Sequence, residues 1–231
     1  MPEDNRFASN KRLAAAVLTR FSAGFAILGA FLFLCAGSFR YWHAWLYIAT
    51  LAACIFSFGV YLYRKDKVLL QKRLNSKEKE KAQKAYVLIT SVAFLGTFTV
   101  CGLDYRFGWS HVPVAVVYAA LMIMVGGFGL FVLTLLQNRF ASRTIEIQDE
   151  QRVIDTGVYS LVRHPLYSAA IIMFSASPVA LGSFYAVIPM LPYVIGIILR
   201  IRNEEEVLQN GLEGYTAYMK KVRYRLIPYV W

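Results

Sequence analysis

Residues 166–199 read LYSAAIIMFSASPVALGSFYAVIPMLPYVIGIIL, and none of these 34 residues is Asp, Glu, Lys or Arg. A helix needs about 20 apolar residues to cross a bilayer, so the stretch is too long for one ordinary span and just long enough for two short ones. Proline and glycine, which mark turns, interrupt it around Ser177, Pro178, Gly182 and Ser183. The stretch therefore predicts a helical hairpin embedded in a membrane.

Four further stretches without these charged residues come before it, and each has the length of one span. They are residues 21–39, 42–63, 85–103 and 112–137. Hydrophobic residues make up 58% of the chain and charged residues only 17%. We therefore predict an all-α integral membrane protein with about six transmembrane helices, of which the last two form the hairpin.

The basic residues predict how the protein is oriented, because positively charged short loops stay on the cytosolic side. Of the 25 Lys and Arg residues, all but Arg40 and Arg106 lie before the first span, within residues 64–84 or 139–163, or from Arg200 onward. This alternation predicts a multi-pass protein with both termini in the cytosol. Topology and attraction to anionic lipid headgroups explain the net charge of +11, so nucleic-acid binding is not expected.

Two features that could suggest other kinds of site have simpler interpretations. The three cysteines lie within or at the end of predicted spans and lack close spacing, so we predict apolar packing and no metal site. Gly126, Gly127 and Gly129 lie inside an apolar stretch with no preceding strand and no GxGxxG spacing. They predict close helix packing rather than a cofactor-binding loop.

Polar content rises at Asn138 and divides the chain into two predicted regions. Residues 1–137 form a region of four spans, and residues 138–231 form a C-terminal region with one polar stretch on each side of the hairpin. Both polar stretches are expected to face the cytosol. Any chemistry is expected where they meet.

The first polar stretch ends in Arg163, His164 and Pro165. Proline suits the first position of a helix and keeps the preceding residue out of the helical conformation. His164 is therefore expected beside a helix N-terminus, a location that attracts anions. A lone histidine at an interface is more often structural. Here, however, the Arg163 cation and the phenols of Tyr159 and Tyr167 lie close to His164 in the sequence, and such a cluster is typical of a site for a polar ligand.

The second polar stretch follows the hairpin and reads RIRNEEE at residues 200–206. Each arginine stands four positions before a glutamate, so a solvated ladder of ion pairs is one interpretation. However, three carboxylates near a helix C-terminus on a membrane face are unfavourable without partners. They predict either cationic ligand groups or buried pairing with Arg163 or Arg200. Residues 214–231 combine aromatic and basic residues and predict an amphipathic tail on the membrane, with no chemistry of its own.

Three motifs together resemble the isoprenylcysteine carboxyl methyltransferase family and its phospholipid methyltransferase relatives. They are GVYSLVRHPLY at 157–167, RIRNEEE at 200–206 and GYTAY at 214–218. The resemblance extends from about Ile145 to the end of the chain. It implies a membrane-embedded methyltransferase that uses S-adenosylmethionine, with residues 138–231 as the catalytic region and a lipidic substrate that enters from the bilayer.

The resemblance also implies the roles of individual residues. Arg202, or else Arg200, would hold the substrate carboxylate, with Glu205 as a further catalytic residue. The cofactor contacts would come from Gln151, Arg152, Val153, Ile154, Tyr159, His164, Pro165, Leu166, Tyr167, Glu204 and Glu206. This chain has three glutamates where the family pattern usually has two, and it lacks the common Phe-Gly that follows. Which glutamate contacts the cofactor therefore stays open.

The methyl acceptor also stays open at this point. A carboxylate, as in a prenylated cysteine, is already ionised at neutral pH and needs no base. An amine, as in phosphatidylethanolamine, must first lose a proton to a glutamate or to His164. An NADPH-dependent membrane reductase of the steroid 5-alpha-reductase type and a non-enzymatic membrane protein are competing interpretations, and the oligomeric state is not predicted.

Overall fold

The structure is a computed structural model that describes residues 3–67, 69, 70, 81–138, 140 and 151–231. Within these residues all regular structure is helical, which confirms the prediction of an all-α protein. In chain order the helices are α1 (Glu3–Ala36), α2 (Trp42–Lys65), α3 (Lys81–Phe107), α4 (Val114–Gln137), a 3-10 turn (Gly157–Ser160), α5 (Pro165–Ser175), α6 (Ser177–Ala180), α7 (Val187–Gly211) and α8 (Tyr215–Lys221).

Helices α1 to α4 each contain a segment long and apolar enough to cross a membrane. These segments are Val17–Ala36, Trp42–Lys65, Ala85–Phe107 and Val114–Gln137. The first one ends before the predicted boundary at Phe39, because Gly37 takes a φ of 64°, a left-handed conformation that commonly ends a helix. The four predicted spans before the hairpin are thus present as apolar helices of spanning length.

The uncharged stretch that follows does not form two long, matching helices. Helices α5 and α6 together cover only Pro165–Ala180, and the helical run then breaks until Val187, with Gly182 at a φ of 80°. The break falls where proline and glycine predicted a turn. Helix α5 packs mainly on α4 and helix α7 mainly on α3, rather than on each other. That these two arms cross the bilayer as the fifth and sixth spans stays a prediction.

The helices α1 to α4 pack against one another, and they hold the two C-terminal arms, α5 and α7, in place. Helix α3 packs along α1, α1 along α2, and α2 along α4. The short helix α6 contacts α2, α3, α4, α5 and α7. Tyr41 donates a hydrogen bond to the carbonyl of Leu181 at 2.5 Å, and Tyr47 donates one to Ser177 at 3.1 Å. Two buried tyrosines of the N-terminal region therefore fix the position of α6.

Helices α4 and α5 approach closely at Gly127. A Cβ atom placed there would lie 2.9 Å from the backbone nitrogen of Met173 in α5, whereas one placed on Gly126 would meet nothing within 4 Å. The prediction that these glycines serve helix packing is therefore confirmed for Gly127 and not for Gly126 or Gly129. Because α5 begins at the predicted site, this contact also positions His164 and Pro165.

We expect Gly127→Ala to lower the stability of the protein, by about 1–3 kcal/mol for an overpacked core position. The neighbouring substitution Gly126→Ala is the matched control and should leave stability unchanged or slightly raised, because alanine is the better helix former. Thermal unfolding of the two detergent-solubilised variants would measure the difference. Equal midpoints would contradict the close contact.

Candidate active site

A pocket lies where three segments of the C-terminal region meet. The segments are residues 151–167, the part of α7 from Arg200 to Leu208, and the region around α8. The predicted residues that line it are Gln151, Arg152, Val153, Ile154, Tyr159, His164, Pro165, Leu166, Tyr167, Arg200 and Glu204. The two polar stretches therefore do meet, and most of the predicted site residues share one pocket.

The register of α7 decides which members of the RIRNEEE motif reach this pocket. Arg200, Glu204 and Leu208 are four residues apart and lie on one face of the helix, and all three line the pocket. Arg202 and Glu206 fall on the exposed face and do not line it. Of the three residues predicted as catalytic, only Arg200 therefore lines the pocket; Arg202 faces outward and Glu205 is buried in the wall.

The start of α5 has the geometry that its sequence predicted. Pro165 is the first helical residue, and His164 precedes it with a non-helical φ of −123°. The turn before it is anchored on α4, because the amide of Val158 donates to Gln137 Oε1 at 2.9 Å. Gly157 takes a φ of 58°, and a Cβ there would clash with Gln137 at 2.4 Å. The positive φ favours glycine at this position, whereas the flexible end of the Gln137 side chain could shift to admit a Cβ.

The Tyr167 hydroxyl bridges the Arg200 guanidinium and the Glu204 carboxylate on the pocket wall. Its hydroxyl accepts a hydrogen bond from Arg200 Nε at 2.8 Å and donates one to Glu204 Oε2 at 2.5 Å. The Arg200 guanidinium also lies over the ring of Tyr86 in α3, 4.6 Å from its centre. Side chains from α3 and α5 thus hold Arg200 in one orientation before any ligand binds, which is the arrangement that positional catalysis needs.

Glu205 is buried behind this wall and contacts two arginines and a histidine. Oε1 accepts from Arg163 Nε at 2.7 Å and lies 3.2 Å from His164 Nε2, and Oε2 accepts from Arg225 Nε at 2.8 Å. Burial alone would raise the pKa of Glu205, but the hydrogen bonds from His164, Arg163 and Arg225 outweigh it and lower this pKa to about 2. Glu205 is therefore ionised at neutral pH, and His164 Nε2 must carry the proton that it shares with the carboxylate.

The C-terminal tail contributes more to the site than its sequence predicted. Tyr215 and Tyr218 of α8 line the pocket, and the Tyr218 hydroxyl donates to the carbonyl of Tyr159 at 2.7 Å. Among the residues that the structure describes, the buried Tyr215 hydroxyl has no hydrogen-bond partner. The prediction of a tail without chemistry missed these contacts and Arg225. The excess of carboxylates in RIRNEEE was the available signal, because buried carboxylates require cations.

The ion cluster makes a prediction about acid stability. A folded pKa of about 2 against an ordinary value of 4.5 means that the Glu205 charge stabilises the fold above pH 4.5 and loses this effect as the pH falls to 2. At ~1.4 kcal/mol for each pKa unit, the contribution is at most about 3.5 kcal/mol. The unfolding midpoint should therefore be higher for the unsubstituted protein than for Glu205→Gln at pH 6. Thermal scans should show this gap closing towards pH 2.5, and a constant gap would contradict the assignment.

The described residues contain no group of three or more His, Cys, Asp or Glu side chains suited to a metal ion.

Comparison with protein families finds a match between residues 117–210 and the isoprenylcysteine carboxyl methyltransferase family. The matched region runs from α4 through the turn that carries His164 to the part of α7 that carries Arg200 and the glutamates. No curated protein matches the chain significantly. The match covers less than half of the chain and confirms the resemblance for the motifs at 157–167 and 200–206, whereas the motif at 214–218 lies outside it. Together with the four apolar helices of spanning length, it indicates a membrane protein with a region similar to the isoprenylcysteine carboxyl methyltransferase family.

Proposed function

We propose that this protein is a membrane-embedded, S-adenosylmethionine-dependent methyltransferase that methylates the carboxylate of a lipidic molecule, such as a prenylated cysteine. The observation that carries the proposal is the pocket between residues 151–167 and α7. Its wall is built from the family's own motifs and presents the Arg200, Tyr167 and Glu204 side chains as one bonded unit. The family match supports methyl transfer over NADPH-dependent reduction.

The residues of the pocket fit this cofactor. S-adenosylmethionine carries two positive charges, hydroxyl groups and a flat aromatic base. Glu204 offers a carboxylate, the buried Tyr215 hydroxyl lacks a partner among the described residues, and Val153, Leu208 and Leu212 provide apolar surface. When bound, the cofactor would supply an electrophilic methyl group. We assign the glutamate contact to Glu204, because Glu205 has both oxygens engaged and Glu206 faces outward.

Arg200 is the residue best placed to orient the acceptor. It is the first charged residue after the apolar part of α7, so it lies at the level where a lipid headgroup would meet the membrane surface. Ile195 and Leu199, just before it, are exposed on the apolar surface of α7, which suits a substrate that enters from the bilayer. A guanidinium can hold a carboxylate by two parallel hydrogen bonds, and an ionised carboxylate then needs positioning rather than proton removal.

The state of the nearby carboxylates favours this acceptor over an amine. Methylation of phosphatidylethanolamine would need a base to take up a proton. The pKa of Glu205 is lowered to about 2, so Glu205 is a poor base. Glu204 Oε2 already accepts a hydrogen bond from the Tyr167 hydroxyl. With both termini in the cytosol, the basic loops would lie against anionic lipid headgroups and keep the pocket at the membrane surface.

Incubation of the purified protein with methyl-labelled S-adenosylmethionine tests the proposal. The acceptor panel would contain prenylated cysteines, phospholipids and fatty acids. We expect the label in a methyl ester of a prenylated cysteine, recognised because base releases it. Label in phosphatidylethanolamine would favour the amine reaction instead. Calorimetric binding of NADPH but not of S-adenosylmethionine would overturn methyl transfer.

The position of Arg200 makes a second prediction, in which Arg202 is the matched comparison. Arg200→Lys removes the planar fork that orients a carboxylate, and we expect kcat/KM for the acceptor to fall by about a hundredfold, in the range of a lost positioning contact. Arg202→Lys should change it by less than about threefold, well under ~1 kcal/mol. Steady-state kinetics at saturating S-adenosylmethionine would measure both. The opposite pattern would show that Arg202, and not Arg200, binds the substrate carboxylate.

A further inference from the structure

The C-terminal segment, residues 222–231, is bonded to the start of α5 at several points. The amide of Arg163 donates to the carbonyl of Tyr224 and that of His164 to the carbonyl of Arg225, both at 2.9 Å. Ser168 Oγ donates to the carbonyl of Leu226 at 2.6 Å. The segment therefore follows the backbone that carries His164 into the pocket.

Arg225 is the one member of this segment whose side chain reaches Glu205, and it is held from both sides. Its Nε donates to Glu205 Oε2 at 2.8 Å, and its guanidinium lies over the ring of Trp231, 5.1 Å from the centre. The main-chain oxygen of Trp231 accepts from the amides of Arg225, Leu226 and Ile227 at 2.9, 2.9 and 3.1 Å. Three converging amides and a stacked ring give Arg225 little freedom to move.

Arg225 does not line the pocket, and its side chain is 32% exposed. Glu205, its partner, is also outside the lining but binds Arg163 and His164, which both line it. The Arg225 side chain therefore reaches the pocket lining through the Glu205 carboxylate, whereas its main-chain carbonyl contacts the His164 amide directly. With Arg225 removed, Oε2 would keep its burial and lose its cation, and the carboxylate would turn to recover a partner.

We propose that Arg225, held by Trp231, is a positioning residue of the cofactor pocket: it fixes the Glu205 carboxylate, which in turn fixes Arg163 and His164 in the pocket wall. The proposal rests on the proposed function for the identity of the ligand. The geometric chain from Trp231 to His164 stands independently of that identity. The C-terminal segment thus belongs to the cofactor site and not only to the membrane surface.

A double-mutant cycle tests the proposal. The variants are Arg225→Met, which keeps the apolar stem, Glu205→Gln, and the two combined, with Lys220→Met as a matched loss of an exposed tail cation. Calorimetry gives the Kd for S-adenosylmethionine, and hydrogen–deuterium exchange follows the amides of residues 157–168. Arg225→Met should raise Kd about tenfold, roughly the loss of one well-made hydrogen bond to a charge. The combined variant should bind no more weakly than Glu205→Gln alone, because the effect passes through that residue.

The exchange experiment gives a readout that does not depend on the cofactor. Arg225→Met should speed exchange of the Arg163 and His164 amides, and Lys220→Met should not. The proposal is overturned if exchange and Kd stay unchanged, if only the unfolding temperature falls, or if the two substitutions act additively on Kd. Failure of the unsubstituted protein to bind S-adenosylmethionine would instead overturn the proposed function, and exchange alone would then decide the positioning role.

Substitution of Trp231 provides a second test in case the Arg225→Met variant does not fold. Trp231→Leu removes the ring over Arg225 and keeps an apolar side chain, whereas Trp231→Phe keeps a ring. The leucine variant should show faster exchange at His164 and a smaller rise in Kd than Arg225→Met. The phenylalanine variant should restore both values, and equal behaviour of the two would count against the role of Trp231.

Discussion

The buried Glu205 carboxylate is the interaction on which the C-terminal region depends. It lies in α7 and accepts from Arg163 and His164, about forty positions earlier, and from Arg225, twenty positions later. An isolated carboxylate at this depth would be costly, and a carboxylate held by two arginines and a histidine is stable only while all three segments stay in place. One side chain therefore ties together the start of α5, the middle of α7 and the C-terminal segment, and the pocket lies between them.

The bundle of α1 to α4 gives this cluster a fixed frame. Helix α7 packs along α3 and helix α5 along α4, so the two polar stretches are carried to the same end of the bundle. The contact of Gly127 with the backbone of α5 and the hydrogen bonds of Tyr41 and Tyr47 around α6 set the positions of the two arms. The geometry of the pocket is thus maintained by the helices α1 to α4, whose described residues do not line it.

Arg200 and Glu205 show how two charged residues of one motif take different positions in the structure. Arg200 lies on the pocket face of α7, bonded to Tyr167, whereas Glu205 lies one turn further and is directed into the cation cluster. The pocket face of α7 therefore carries Arg200 and Glu204, and the adjacent face carries Glu205 into the cluster that supports the pocket wall. Side chains that contact a ligand need supporting side chains behind them, because small errors in their position weaken binding and catalysis.

The sequence by itself determined the membrane class, the four apolar helices, the break around Gly182 and the start of α5 at Pro165, because hydropathy, glycine and proline act locally along the chain. The motifs also indicated the family and most of the residues that line the pocket. Only the tertiary structure decided that Arg202 and Glu206 face outward, that Glu205 supports the wall, and that the tail supplies Arg225, Tyr215 and Tyr218. The physical reason is that these roles depend on the rotation of α7 against α3 and on partners twenty or more positions away, which no local spacing encodes.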